Sequence, residues 1–385
     1  MGYMTEELFQ ETVAARRYLH AHPEVGFDLE NTAAFVKRKL EECGVAYTEE
    51  YGRCSVCGLL GDLSGAKPVL ALRADMDALP IREESGEAFS SLNEGKMHAC
   101  GHDSHTAVLL TVAKILKQHE AELPCGVKLL LQPSEECADS GAKMMVENGV
   151  LDGVTAVLGV HCENVVDAGI VGIRDGAYMA ACIPIELSFI GKSGHAAMPE
   201  TAVDAIAMAV RACPLLKAMV EEEAQGQPYI WSVGYFHGGT AHNIIAGRCD
   251  LRISFRYYDQ AFADRVMARV KEICDGVARE AGGQAELEWH MSAPPVINDS
   301  KMVDLFRRVI REETGLPLTE LPRRMSSEDF SWYLTRVPGA IFRFGTRNEA
   351  LGCTALAHRA DFRIDESGMR YAIEACVAFV LDYGK

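Results

Sequence analysis

Val69-Leu70-Ala71-Leu72-Arg73-Ala74-Asp75-Met76-Asp77 begins as an apolar run and ends on a pair of carboxylates. The run 69–72 reads as a buried strand, and so do Val127-Lys128-Leu129-Leu130-Leu131 and Ala156-Val157-Leu158-Gly159-Val160. Between them, residues 106–119 and 141–148 carry helical periodicity. Strands that alternate with helices predict an α/β fold: a mostly parallel sheet with helices on both faces.

In such a sheet, ligands bind outside the carboxyl ends of the strands. Asp75 and Asp77 follow the first strand, Glu135 and Glu136 follow the second, and His161 ends the third. Met97-His98-Ala99-Cys100-Gly101-His102-Asp103 packs a thiol, imidazoles and a carboxylate into the loop that opens the next helix, and His358 follows Leu356-Ala357. Taken singly, Cys100 reads as a small buried side chain, His161 as a hydrogen-bonded core histidine, and Glu135-Glu136 as a solvated helix start. Their coincidence at one sheet edge predicts a metal or acid–base site. His20, His22, His98 and His105 read as structural, with His22 before Pro23 fixing a loop. Asp103 is either a helix cap or a group that orients an imidazole; Glu328 and Asp329 either belong near the site or cap a helix over 330–334.

A different rhythm starts near Cys182. Residues 183–190 alternate like a strand, 202–223 have helical periodicity that Pro214 should kink or divide, and 230–236 and 249–257 are strand-like. Asp259 then caps a helix with Phe262, Val266, Val270, Ile273 and Val277 on one face, and 285–290 close the set. The order strand, helix, strand, strand, helix, strand is the ferredoxin-like α+β pattern. It predicts an inserted domain over 182–292 within a metal-binding catalytic domain formed by 1–181 and 293–385, in keeping with a length of 385 residues.

The net charge of −17 disfavours nucleic-acid and membrane-surface partners. Thirteen scattered cysteines, with no secretory leader, point to a reducing compartment and a cytoplasmic protein, and no apolar run nears the roughly 18 residues that would span a bilayer. Gly2 is not read as a myristoylation site, because Glu6 stands where that motif has Ser or Thr.

The chain resembles the metal-dependent aminoacylase and carboxypeptidase superfamily, in its amidohydrolase branch of hippurate hydrolases, N-acetyl-amino-acid deacetylases and plant indole-acetyl-amino-acid hydrolases. The resemblance spans nearly the whole chain. It runs from Arg16-Arg17-Tyr18-Leu19-His20-Ala21-His22-Pro23-Glu24 through Leu72 to Pro80 and Met97 to Asp103. It continues through Gly194-His195-Ala196-Ala197-Met198-Pro199, Gly238-Gly239-Thr240-Ala241-His242-Asn243, Ser327-Glu328-Asp329-Phe330 and His358.

The resemblance implies two divalent ions bridged by Cys100, one completed by His102 and His161 and the other by Glu136 and His358. Manganese or zinc is expected, with cobalt or nickel also compatible with the donors. Glu135 is implied as general base, and Asp75 and Asp77 as groups that orient a ligating imidazole. His195 is implied to stabilise the oxyanion in a partner subunit, Asn243 to bind substrate, and the inserted domain to form a homodimer. Arg256 is a candidate partner for a substrate carboxylate, or a solvated strand end. The expected activity is hydrolysis of a small N-acyl-L-amino acid to a carboxylic acid and an amino acid. A metallodipeptidase or exopeptidase, or a non-catalytic metal-binding relative, is the alternative. Ile244-Ile245-Ala246-Gly247 and Arg252-Ile253-Ser254-Phe255-Arg256 depart from the branch's usual pattern, which bears on substrate contacts.

Overall fold

The computed structural model describes residues 3–385, so Met1 and Gly2 lie outside it. It divides into two compact units. The first comprises the chain up to Tyr178 together with Ile297–Arg323 and Asp329–Lys385; the second comprises Met179–Val296 and Arg324–Glu328. The expected boundaries at 182 and 292 thus widen by a few residues on each side. The segment Arg324–Glu328, expected in the first unit, joins the second: Ala180 N–H donates to the carbonyls of Arg324 at 3.1 Å and Ser326 at 3.0 Å.

The first unit is built on an eight-stranded sheet. Its centre is parallel, in the order Gly126–Gln132, Val69–Asp75, Ala156–Asp167 and Gly339–Arg347. Val56–Leu60 and Ala46–Thr48 extend one side in antiparallel fashion, and Val171–Ile173 and Leu318–Glu320 extend the other. Every residue of Val69–Asp75 and Gly126–Gln132 is buried, as strands covered on both faces require. Leu70, Leu72 and Ala74 share a core with Val127, Leu129 and Leu131 and with the helices Glu6–Ala21, His102–Gln118 and Gly368–Asp382. The alternate residues Arg73 and Asp75 face the other way, toward Asp329 and Gln132. A strand of period two therefore separates an apolar face from a buried polar one.

Sequence periodicity assigns no strand to Gly339–Arg347, because Arg343 interrupts its apolar run. In the fold Arg343 is buried opposite His161, and this strand pairs along Ala156–Asp167 as far as Asp167. His161 accordingly sits within a long strand rather than at the end of a short one.

The second unit has a four-stranded antiparallel sheet in the order Ile230–Gly238, Arg248–Tyr257, Ala181–Ile190 and Gln284–Trp289. Ile183, Ile185, Leu187 and Phe189 alternate into a core shared with the helices Ala205–Ala224 and Gln260–Ala281. Asp259 caps the second helix, accepting from Ala261 N–H at 2.8 Å. Pro214 does not divide the first helix, which runs unbroken from Ala205 to Ala224. Proline removes the hydrogen bond to the carbonyl of residue i−4, here Val210; Val210 and Pro214 are both exposed, a position where water can take up a freed carbonyl. Among the described residues, no helix is long and apolar enough to cross a membrane.

Restoring that hydrogen bond at an exposed position should stabilise the second unit. Pro214→Ala is expected to raise its unfolding free energy by about 1–3 kcal/mol, read from urea denaturation followed by circular dichroism. A lowered urea midpoint would contradict an unbroken helix there.

Candidate metal centre

At the carboxyl edge of the parallel strands, the backbone takes sharp turns that place side chains together. Gly101 ends the loop before the helix His102–Gln118 at φ +82°, and a Cβ there would come within 2.4 Å of Cys162 Sγ. Glycine is thus required between Cys100 and His102. Ser134, at φ +53°, turns the chain into Glu135-Glu136, and His358 itself sits at φ +67°. Such conformations in residues other than glycine persist only where the surroundings impose them, and they cluster at functional sites.

These turns bring the expected ligands together within the first unit. One ligand atom from each of Cys100, His102 and Glu136 lies within 4.8 Å of the others. His358 Nε2 is 3.0 Å from Glu136 Oε1, and Cys100 Sγ is 3.6 Å from His161 Nε2. His161 Nδ1 donates to the Cys162 carbonyl at 2.7 Å, which leaves Nε2 as the lone pair that faces the thiol. Burial, then the neighbouring Arg343, hold His161 well below the ordinary histidine range, so its ring is neutral and able to ligate.

Charge decides what this cluster of side chains can hold. His102 is 1% exposed, with both ring nitrogens buried and without a hydrogen-bond partner. Burial disfavours its imidazolium, yet the carboxylates of Asp75, Asp77 and Glu136 outweigh this and bring it up to about 10. Burial, reinforced by Glu136 and Glu135, pushes the Cys100 thiol well above its usual range. Buried carboxylates that draw a proton onto an imidazole and oppose a thiolate call for positive charge among them. A divalent cation supplies it, and thiolate, imidazole and carboxylate are its ordinary donors, so the residues present fit a metal.

Asp77 organises the carboxylates. Its Oδ1 accepts from Glu135 N–H and its Oδ2 from Glu136 N–H, each at 3.0 Å, and Oδ1 stands 3.4 Å from His102 Nδ1. Glu136 turns toward His358, and Glu135 Oε2 is 4.0 Å from His102 Nε2. Asp75 has a different partner from the one expected. It lies 2.5 Å from His105 Nδ1 and 3.8 Å from His102 Nδ1. His105 Nε2 accepts Cys162 N–H at 2.7 Å, so Nδ1 carries the hydrogen given to Asp75. The His105 ring centroid lies 4.3 Å from that of His161, the two rings tilted by 49°. His105, read from sequence as merely structural, is the link between Asp75 and the strand that bears His161.

A second polar layer was invisible in local sequence. Arg73 donates to Gln132 at 2.7 Å, Asp75 at 2.7 Å and Asp329 at 2.9 Å, all buried. Asp329 also accepts from Gln132 Nε2, Ser140 Oγ at 2.7 Å and Ala142 N–H at 3.2 Å. Its carboxylate therefore supports the start of the helix Gly141–Glu147, not that of 330–334. The available signal was Arg73 itself, a charge within an otherwise buried strand. Asp103 is likewise no cap: Gly101 holds the cap position, and Asp103 Oδ2 receives Arg16 Nε at 2.7 Å and His20 Nδ1 at 2.8 Å. His22 donates to the Tyr18 carbonyl at 2.7 Å and stacks on the Tyr18 ring.

His195, Asn243 and Arg256 belong to the second unit. His195 pairs with Ile244 across a short antiparallel ladder, and Ala196 N–H donates to the Asn243 carbonyl at 3.1 Å, so His195 and Asn243 share one exposed lobe. Arg256 Nη1 donates to the Met325 carbonyl at 2.8 Å and to Ser327 Oγ at 3.2 Å, which ties down the segment Arg324–Glu328.

A model of peptidase family M20/M25/M40 matches residues 71–382. An N-acetyl-L-cysteine deacetylase of Bacillus subtilis is 33% identical over 94% of this chain and 85% of its own length. An N-acyl-L-amino acid amidohydrolase of Geobacillus stearothermophilus is 38% identical over 77% of this chain and 80% of its own. The solved structure of a dinuclear metal-binding peptidase of the M20 family from Bacillus subtilis superposes with a TM-score of 0.85 at 28% identity, covering 98% of each chain.

The polar layer behind the site gives stability a pH dependence. Burial raises the Glu83 carboxyl, but hydrogen bonds from His20, Ser85 and the Ser91 N–H outweigh it and bring it down to about 2. A lowered carboxyl stabilises the fold above its ordinary value of 4.5, and that contribution is lost as pH falls toward 2. Between pH 5 and about 3, the melting temperature of the native chain should fall more steeply than that of Glu83→Gln. Parallel melting curves would remove Glu83 from this account.

Proposed function

We propose that this chain, which belongs to peptidase family M20/M25/M40, hydrolyses N-acyl-L-amino acids to a carboxylic acid and a free amino acid. The observation that carries the reading is the convergence of Cys100, His102, Glu136, His161 and His358 beside a further carboxylate, Glu135. The deacetylase and amidohydrolase relatives support the substrate class.

In this proposal Cys100, His102, His161, Glu136 and His358 would hold two divalent ions, with Cys100 shared, His102 and His161 serving one and Glu136 and His358 the other. The relative described as dinuclear supports the count. Manganese or zinc is our assignment, with cobalt and nickel suited to the same donors. Bound there, the ions supply Lewis acidity toward the amide oxygen and acidify water. Glu135 takes the proton of the attacking water and delivers it to the leaving nitrogen. The acyl carbon thereby exchanges its C–N bond for a C–O bond. Asp77 keeps the two glutamates in separate roles by holding both of their backbone N–H groups.

His195 is assigned to the oxyanion. Its Nδ1 accepts Ala197 N–H at 3.0 Å, so the neutral ring carries its hydrogen on Nε2, as a donor to developing negative charge must. Asn243 is assigned to substrate binding on the same lobe. A homodimer formed through the second unit would deliver His195 to a partner. The exposed edge strand Ile230–Gly238, with Ile230, Val233, Tyr235 and Phe236 each more than a third exposed, supports that surface. A cytoplasmic location completes the proposal.

The test is amino-acid release from N-acetyl, N-benzoyl and indole-acetyl amino acids beside free dipeptides, with metal-free protein reloaded with manganese or zinc. Hydrolysis of the acylated panel is expected, whereas activity confined to dipeptides would move the assignment to a peptidase. Glu135→Gln should lower kcat by about 10²–10⁴-fold while bound metal, measured by elemental analysis, is unchanged. Undiminished turnover would refute the base assignment.

A further inference from the structure

The loop that carries His358 is held in an unusual way. Between Cys353 and Phe362, both buried, no residue is buried, and the His358 side chain is 54% exposed. No helix or strand covers residues 354–365. Side-chain packing therefore does not set the position of His358, whose backbone is also in the left-handed region. Hydrogen bonds to backbone atoms do so instead. His358 N–H donates to the Ala99 carbonyl at 2.8 Å, next to Cys100, and Glu84 N–H donates to the Ala360 carbonyl at 2.8 Å.

A tie to both arms of the loop comes from one buried side chain. Asn164 stands three residues beyond His161 on the strand Ala156–Asp167 and is 6% exposed. Its Nδ2 donates to the Ala355 carbonyl at 2.8 Å and to the Arg363 carbonyl at 2.7 Å. Its Oδ1 accepts the hydroxyl of Thr346, itself fully buried, which fixes the rotation of the amide. A primary amide has two N–H donors, and each is used on one arm of the loop. The arms are thereby pinned to the strand that carries His161, with His358 between them. No other uncharged side chain of similar size offers two donors and an acceptor on so short a stem.

We propose that Asn164 is a positioning residue for His358: by clasping both arms of the 355–363 loop, it holds the distal ligand of one metal in register with the strand that bears a ligand of the other. The inference rests on the two-metal reading above and adds a residue to it. Freed from Asn164, the exposed loop gains conformations, and His358 spends less time beside Glu136. The metal that depends on His358 loses affinity, and the metal on His102 and His161 does not.

Asn164→Asp preserves shape and replaces the two-donor edge with an acceptor facing two carbonyls. Calorimetric titration of the metal-free protein with manganese is expected to show two events, of which the one abolished in His358→Ala weakens in Asn164→Asp by about 10–100-fold, the other remaining as in the native chain. Hydrogen exchange of the metal-free variant should quicken over 355–363 while the core strands stay protected. Thr346→Val, which leaves both donors but frees the amide to rotate, should weaken the same event by a smaller factor and serves if the first variant does not fold. Unchanged affinity, equal loss in both events, or unchanged exchange over the loop would each overturn the proposal. A native chain with a single binding event would instead refute the two-metal reading, and the exchange comparison, made without metal, would still judge the role of Asn164.

Discussion

Negative charge buried at the carboxyl edge of a parallel sheet is the constraint from which the first unit follows. Asp75 and Asp77 are essentially without solvent, and Glu135 and Glu136 are nearly so. Anionic groups so placed need compensation nearby, because burial alone would force protons onto them. Arg73 neutralises the layer behind, in contact with Asp75 and Asp329, and at the front the imidazole of His102 is drawn toward its cationic form. A pair of divalent ions would satisfy the same demand while keeping the imidazoles neutral.

That demand accounts for the local strain. Ser134 and His358 occupy left-handed backbone conformations, and Gly101 has no room for a Cβ. Each is a point where the chain must turn within a few atoms of the site. The turns are held from behind by hydrogen bonds that span long stretches of sequence: Asp77 to Glu135 and Glu136, Asp75 to His105, and Asn164 to both arms of the His358 loop. The side chains that would meet metal are thus few, and those that aim them are more numerous and lie deeper.

The second unit solves a simpler problem. Its strands alternate apolar and polar residues, its helices lay one stripe on the sheet, and Asp204 and Asp259 cap those helices. Local pattern and fold agree there, and its elements were legible to within a few residues. Pro214 is the exception: it lies inside an unbroken helix, at an exposed position where water can replace the hydrogen bond that proline removes.

The sequence by itself determined the class of fold, the ferredoxin-like order of the second unit, and the presence of carboxylates, imidazoles and a thiol at one sheet edge. Those features are periodic or adjacent to a strand end, so short windows contain them. The ligand set came from motifs whose order along the whole chain resembles a known family. Tertiary structure alone decided that Asp75 serves His105, that Asp103 pairs with Arg16 and His20, that Asp329 meets Arg73 and Gln132, and that Arg343 lies within a strand. The partners of Asp103 lie 83 and 87 residues away, and those of Asn164 lie 182 to 199 residues away. A buried polar group must find a partner wherever the fold brings one, and no local window can hold both halves of such a pair.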